Sequence, residues 1–409
     1  MAWGSGSTDF SYLVTPDTAI QNEIVSNYGA YESILDNYAY SQIKTLALRA
    51  SVCIVFVNSD SGEGYIDVDG NLGDRNNLTL WQGGDQLIHQ VAGNCSNTVV
   101  VIHSTGPVIL DSYKNHPNIT AMLWAGIPGE QSGNSIADVL YGRVNPGAKL
   151  PFTIGAARED YGVDVLYTPN ALVPQEDFKE GIFIDYRSFD QHNITPTYEF
   201  GYGLSYTTFN YSNLQIQKLT VGNYSTTTGF TSPAPTFGSI DNNTAHHLFP
   251  ANFTRVPLYL YPWLNSTNLS EASSTSNYGS SAFIPAGAQD GSPQPRHPAG
   301  GAPGGNPELW DILYQVTATI TNTGSVAGEE VPQMYVSLGG GDRNPPRVLR
   351  GFERLSIQPN SSTTFTATLT RRDLSNWNTV TQNWAIPATN KTVYIGSSSR
   401  NLHLSAPLP

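Results

Sequence analysis

Apolar positions between residues 14 and 155 alternate between two patterns. SVCIVFV (Ser51–Val57), TVVVIH (Thr98–His103) and TAMLWA (Thr120–Ala125) are short continuous runs rich in apolar and β-branched residues. Such runs predict strands buried on both faces of a parallel sheet. Helical spacing fills the intervals, over Ser41–Ala50 with Ile43, Leu46 and Leu48 apolar, over Leu80–Val91 and over Ser135–Tyr141. An earlier helix is predicted to start at Thr15-Pro16-Asp17, with Thr15 as N-cap and Pro16 in the first helical position. The segment closes with KLPFTI (Lys149–Ile154). Strands separated by helices of this length predict right-handed βαβ units and an open, mostly parallel α/β sandwich. Ligand loops in such sheets follow the C-terminal ends of strands.

From Trp310 onward the pattern changes to strict alternation. YQVTATITNTGSVAGEEVPQMYVSL predicts two strands around an Asn-Thr-Gly turn, and TTFTATLT and KTVYIGSSS add more, so the expected architecture is a β-sandwich. Phe209–Leu219 alternates in the same way and is expected to be the first strand of that sandwich. Residues 223–308, dominated by Ser, Thr, Asn, Gly and Pro, are expected to be an insertion wrapped over another surface and glycosylated. The domain plan is therefore an α/β domain over residues 1–200 and a β-sandwich over 201–409 with the insertion inside it.

Charge narrows the partners. The chain has 409 residues, a formal net charge of −13 and only 13% charged residues. An acidic chain is a poor match for nucleic acid or an anionic membrane, both of which call for basic patches. With 11% aromatics, it fits a neutral polyhydroxylated partner such as a sugar. N-x-S/T sequons fall at Asn77, Asn94, Asn118, Asn193, Asn210, Asn223, Asn242, Asn252, Asn265, Asn268, Asn360 and Asn390. Twelve together predict a secreted, extracellular glycoprotein. Cys53 reads as a small core residue of its strand, and its pairing with Cys95 stays open. No apolar run reaches transmembrane length. MAWGSGSTDFSYLVTP has neither a basic nor an apolar leader region, so the natural N-terminus is expected upstream of it.

The candidate chemistry lies in NSDSGEGYIDVDGNLGDR (Asn58–Arg75), which places Asp60, Glu63, Asp67, Asp69 and Asp74 in one glycine-rich loop after the first strand. A calcium loop would need glycine in sixth place and glutamate in twelfth, and DVDGNLGDRNNL has neither. Zinc would need clustered His or Cys. GEGYID lacks the third glycine of a dinucleotide fingerprint. A solvated acidic turn is the plainest reading. Against it, Gly62-Glu63-Gly64-Tyr65 sets one carboxylate between two glycines and beside an aromatic. Glycines permit close approach of the backbone to a ligand, and an aromatic ring stacks on a sugar face. A carboxyl group partly desolvated there is suited to hold and donate a proton.

The same stretch, VFVNSDSGEGYIDVDGNLGDRNNLTLW, resembles the acid/base segment of family 3 glycoside hydrolases, specifically the secreted fungal β-glucosidases. The likeness runs on through IHSTGPV, WAGIPGEQSGNSIADVLYGRVNPGAKLPFTIG, FGYGLSYT and APGGNPELWD to GSSSRNLHLSAPLP. It implies an N-terminal (β/α)8 barrel with an aspartate nucleophile in an S-D-W motif. An α/β sandwich would then supply the acid/base glutamate, and a fibronectin type III-like domain would end the chain. On matching positions it implies Glu63 as acid/base, Tyr65 beside the leaving sugar and Ser5, in WGSGS (Trp3–Ser7), at the edge of the glucose pocket. Asp74 and Arg75 are implied to support the loop, while Asp60, Asp67 and Asp69 shape it or face solvent. No cofactor or metal is implied. S-D-W is missing here, as are the Lys-His pair and the Arg that surround glucose in the family. The resemblance therefore implies a C-terminal portion lacking the barrel and the first part of the α/β sandwich. Such a portion is expected to be inactive alone and to need the barrel as its partner against a β-glucoside. A secreted carbohydrate-binding or adhesion module is the rival reading.

Overall fold

The computed structural model describes residues 7–64, 66–166, 168–224, 243, 306–341, 344–378, 380–381 and 383–409. The chain divides into two compact units, one of Met1–Leu219, Leu313–Leu369 and Pro387–Pro409, the other of Thr220–Ile312 and Thr370–Ile386.

The first unit opens with helix α1 (Pro16–Ser26), where the Thr15 hydroxyl accepts from Thr18 N–H and Pro16 starts the turn, as its sequence predicts. Helix α2 (Tyr40–Ala47) leads to strand β1 (Cys53–Ser59). A small hairpin, β2 (Asp67–Val68) and β3 (Asn71–Leu72), comes before helix α3 (Gly84–Ala92). Strands β4 (Thr98–Ser104) and β5 (Ile119–Trp124) and helix α4 (Ser132–Leu140) follow. The three long strands form one parallel sheet in the order β1-β4-β5, with Cys53 opposite Thr98 and Ser59 opposite Ser104. Its core joins Ile43 and Ala47 of α2 and Ile88 and Val91 of α3 to Val55, Val57, Val100 and Ile102 of the sheet.

Helix α3 starts four residues later than its apolar spacing predicts. Gln82 and Gly83 adopt φ of 52° and 66°, a backbone that interrupts any helix, and Asp85 reaches back to accept from Leu80 N–H at 3.1 Å. Lys149–Ile154 adds no strand to the parallel sheet. Pro151 cannot donate to a ladder, and only Ile154 forms a bridge, to Tyr198. A short helix α5 (Tyr186–Gln191) lies in the following irregular stretch.

The remaining strands are β6 (Phe209–Lys218), β7 (Ile312–Asn322), β8 (Gly328–Glu330), β9 (Gln333–Ser337), β10 (Val348–Phe352), β11 (Leu355–Ile357), β12 (Ser362–Thr370), β13 (Asn376–Asn378), β14 (Asn383–Ala385), β15 (Thr392–Gly396) and β16 (Leu402–Pro407). Antiparallel sheets of order β10-β9-β15-β16 and β12-β7-β6 make a sandwich around Val316, Ile320, Met334, Phe365, Leu369 and Ile395, all fully buried. Strand β6 pairs with β7, so Phe209–Lys218 does join the sandwich across the insertion. The two strands around Asn322-Thr323-Gly324 do not pair with each other and fall in different sheets. The Asn322 side-chain carbonyl accepts from Gly324 N–H and the Thr207 hydroxyl, which fixes that crossover.

Buried charges tie residues 149–203 to the sandwich. Glu330 takes Lys149 Nζ at 3.1 Å and the Tyr211 hydroxyl at 3.1 Å, while Asp190 takes Arg347 at 2.7 Å and Arg400 at 3.0 Å. In the second unit, β13 and β14 pair Trp377 with Trp384, and Arg372 lies 3.5 Å above the Trp384 ring.

Candidate active site

Strand β1 delivers the chain at the C-terminal edge of the parallel sheet, and the acidic loop begins there. Its neck is closed by Gly62 N–H donating to Gly73 O and Gly73 N–H donating to Ile66 O, both at 3.2 Å. Beyond the neck, Asp69 and Gly70, at φ of 52° and 75°, turn the β2–β3 hairpin. Asn71 is buried beneath it, donating to Val68 O and Asp69 O and accepting from Asn76 N–H.

Asp60, Asp69 and Asp74 are each held within this region. Asp60 accepts from Ser61 N–H at 2.8 Å, Asp69 from Gln82 N–H at 2.9 Å and Asp74 from the Ser61 hydroxyl at 3.0 Å. Arg75 donates from its backbone to Ser61 Oγ and from its guanidinium to Ser59 Oγ. The Arg75 guanidinium is half-buried and its pKa is lowered, by desolvation first, although an arginine stays charged regardless. Arg158 donates to Asn76 O at 2.9 Å and pairs with Asp164, which holds the loop from outside.

Glu63 and Asp67 are exposed. Glu63 stands between Gly62 and Gly64, and a side chain at Gly64 would meet nothing within 4 Å among the described residues. From behind, Gly73 at φ +82° packs directly on the backbone of Glu63 and Gly64. The exposed carboxylate thus sits on a buttressed backbone. Among the described residues no cluster of three or more His, Cys, Asp or Glu is placed to hold a metal ion.

Ser5 and Tyr65 lie outside the described residues, as do Asn242, Asn252, Asn265 and Asn268. Asn77, Asn193, Asn210, Asn223, Asn360 and Asn390 are exposed. Asn118 is half-buried with its amide donating to Ala92 O, and Asn94 is half-buried with its amide donating to Gln90 O. Cys53 and Cys95 are free thiols in contact, and burial, then its Cys95 neighbour, pushes Cys53 up to about 12.

Two features had no role in the sequence reading. His103, one residue before the end of β4, lies beside a cleft of about 410 Å³ that Phe56, Asn58 and Asp60 also line. Burial lowers its pKa, and its ring meets Phe56 edge-on at 6.2 Å. The visible signal was the position of His103 at the C-terminal end of a parallel strand. A wider cleft of about 920 Å³ is lined by Arg75, Asn77, Arg158, Tyr161, Phe178 and Phe183. It had no periodic signal, because one wall comes from irregular chain.

The glycosyl hydrolase family 3 C-terminal domain matches residues 1–206, and a fibronectin type III-like domain matches residues 330–399. Beta-glucosidase A of Aspergillus kawachii is 57% identical over 413 residues, which cover 100% of this chain and 48% of that protein. Beta-glucosidase 1 of Aspergillus aculeatus is 57% identical over 414 residues, with the same coverage. Among solved structures, a Chaetomium thermophilum beta-glucosidase superposes with a TM-score of 0.82 at 56% identity, covering 100% of this chain and 50% of that one. A family 3 beta-glucosidase from Neurospora crassa gives 0.83 at 55% identity, with the same coverage. The chain spans about half the length of the curated relatives it matches.

Proposed function

The chain belongs to glycoside hydrolase family 3, matching its C-terminal domain, and from that premise we propose that it supplies the general acid/base, Glu63, of a retaining β-glucosidase. The observation that carries this reading is the setting of Glu63, an exposed residue in the loop that follows β1, with Gly73 packed against its backbone. Asp74 and Arg75, bound to Ser59 and Ser61, keep the loop in place, while Tyr65 and Ser5 contact the sugar.

A retaining glycosidase holds two carboxyl groups roughly 5–5.5 Å apart. The second, an aspartate nucleophile, belongs to an N-terminal barrel supplied in the same chain or as a separate one. The aspartate attacks the anomeric carbon as protonated Glu63 gives its proton to the glycosidic oxygen and releases the aglycone. Glu63, now a carboxylate, takes a proton from water as that water attacks the glucosyl ester, and glucose leaves with its configuration retained. The substrates are terminal non-reducing β-D-glucosyl units of cellobiose and related β-glucosides, acted on outside the cell in cellulose breakdown.

The test is a mixing experiment with an aryl β-glucoside. Alone, the chain is expected to show no turnover above background. With the N-terminal half of a relative, turnover is expected, and Glu63→Gln abolishes it. Turnover by the isolated chain that disappears in Glu63→Gln would refute the need for a second carboxylate from elsewhere.

A further inference from the structure

We propose that Cys53 and Cys95 close into a disulfide while the chain folds in an oxidising compartment, tying the start of β1 to the turn between α3 and β4. The compartment rests on the reading of the chain as secreted, and the bridge rests on the structure.

Cys53 and Cys95 stand 42 positions apart in the chain, and the sheet brings them together. Cys53 opens β1, and its N–H donates to Asn97 O at 3.0 Å. The Cys95 thiol donates to the same Asn97 oxygen at 3.4 Å. One carbonyl therefore holds the backbone of one cysteine and the sulfur of the other. The two side chains are near enough for one thiol to hydrogen-bond the other. Both backbones are anchored. Cys95 N–H donates to Val91 O at 2.9 Å, its carbonyl accepts the Thr98 hydroxyl at 3.0 Å, and Cys53 is held in the ladder opposite Thr98. A cross-link between residues already in contact acts mainly on the unfolded chain, by closing a loop that would otherwise be free. Disulfides form and persist in oxidising compartments, and with two cysteines in the chain there is one intramolecular pairing.

Burial sets when the bond forms. Cys95 is 2% exposed, and burial first, then the Cys95 neighbour, pushes the Cys53 thiol up to about 12. The attacking species is the thiolate, so the folded dithiol is inert and the bond forms before the sulfurs are covered. One cysteine thiolate attacks a disulfide oxidant, breaks its S–S bond and expels one thiolate, which leaves a mixed disulfide. The other cysteine thiolate then attacks the cysteine sulfur of that mixed disulfide and expels the second thiolate. Two protons and two electrons pass from the cysteine pair to the oxidant, which departs as two thiols. Chain folded in a reducing cytosol keeps both thiols, the form that this structure holds.

The experiment unfolds the full chain in urea with reductant, removes the reductant and refolds the chain in reduced and oxidised glutathione. Remaining thiols are alkylated in urea and the digest is read by mass spectrometry. A peptide pair joined through Cys53 and Cys95 is expected, lighter by the two hydrogens lost, with neither sulfur alkylated. Chain folded beforehand under reductant should bridge at least about tenfold more slowly in the same buffer. The bridge should raise the ratio of folded to unfolded chain in urea by about 10²–10³-fold over the same chain in reductant, as a closed loop of this length gives. Cys53→Ala should show no difference between the two buffers. Two alkylated cysteines after oxidative refolding overturn the proposal, and so does a bridge that fails to raise that ratio. Equally fast bridging of the folded chain overturns the order of events. The natural chain separates this proposal from the secreted reading. Two free thiols on chain recovered outside the cell overturn the bridge and leave secretion standing. Chain confined to the cell overturns secretion and the compartment named here, while a bridge in the refolded chain still stands.

Discussion

Replacing Gly73 by alanine probes the support of Glu63 without touching any side chain of the loop. At φ +82°, the new Cβ would stand 2.9 Å from Gly64 N, 3.0 Å from Gly64 Cα and 3.1 Å from Glu63 C. Non-bonded heavy atoms prefer roughly 3.5–4.0 Å, so the Glu63–Gly64 backbone must retreat by about 0.5–1 Å. Left-handed backbone adds about 1–2 kcal/mol of strain to any residue with a Cβ. Gly70 separates these effects. It has φ +75° in the same loop, and a Cβ there meets nothing within 4 Å, so Gly70→Ala carries the strain alone. A shift of about 1 Å at a catalytic group costs about 10²-fold. In the reconstituted enzyme, Gly73→Ala is therefore expected to lower kcat/KM on an aryl β-glucoside by about 10–100-fold, or about 1.4–2.7 kcal/mol of transition-state stabilisation. Gly70→Ala should stay within about threefold. Urea unfolding of both variants checks that global stability moves by less than about 2 kcal/mol. Equal activity in the two variants would refute the claim that Gly73 positions Glu63.

Other sites give further expectations. Lys149→Met leaves Glu330 buried without its cation and should cost about 3–5 kcal/mol in urea unfolding. Adding Glu330→Gln should recover much of that loss, and a single-variant cost below about 1 kcal/mol would show the pair to be slack. His103 titrates below its ordinary 6.5 because burial opposes its charge. Between its folded value and 6.5 the unfolded chain binds a proton that the folded chain does not, so stability falls as pH drops through that window. Urea midpoints of His103→Phe should fall less than those of the wild type between neutral and mildly acid pH, and parallel profiles would remove His103 as the cause. With the Cys53 thiol pushed up to about 12, a thiol-specific reagent near pH 8 should label it only after denaturant is added. Rapid labelling of the folded chain would contradict that burial.

Much of this architecture is legible wherever local pattern and tertiary environment agree. β1 and β4 lie where their β-branched runs predict, and Thr15 caps α1 as its position beside Pro16 implies. The start of α3 was not legible, because Asp85 holds Leu80 by a bond that periodicity does not encode. Nor was the separation of β7 from β9 into opposite sheets, since alternation specifies which face is buried and not which strand is the neighbour. In the loop, the two glycines beside Glu63 and the aspartates around it stand out in the sequence. The contact of Gly73 with the Glu63 backbone joins residues ten apart across the neck, and only the folded loop reveals it. The wide cleft needed Asn77 and Phe178 to come together from elements with no shared period.

The most direct test of the central claim is Glu63→Ala in the reconstituted enzyme, assayed on two β-glucosides and with azide. A methyl glucoside needs its oxygen protonated to leave, so its hydrolysis should fall by about 10²–10⁴-fold. A dinitrophenyl glucoside needs no proton to leave, so a burst of phenolate should persist while the glucosyl ester accumulates. Azide, which attacks that ester without a general base, should restore turnover and yield β-glucosyl azide. Equal loss on both glucosides with no azide product, or activity on the methyl glucoside left intact, would contradict the assignment of Glu63 as the acid/base.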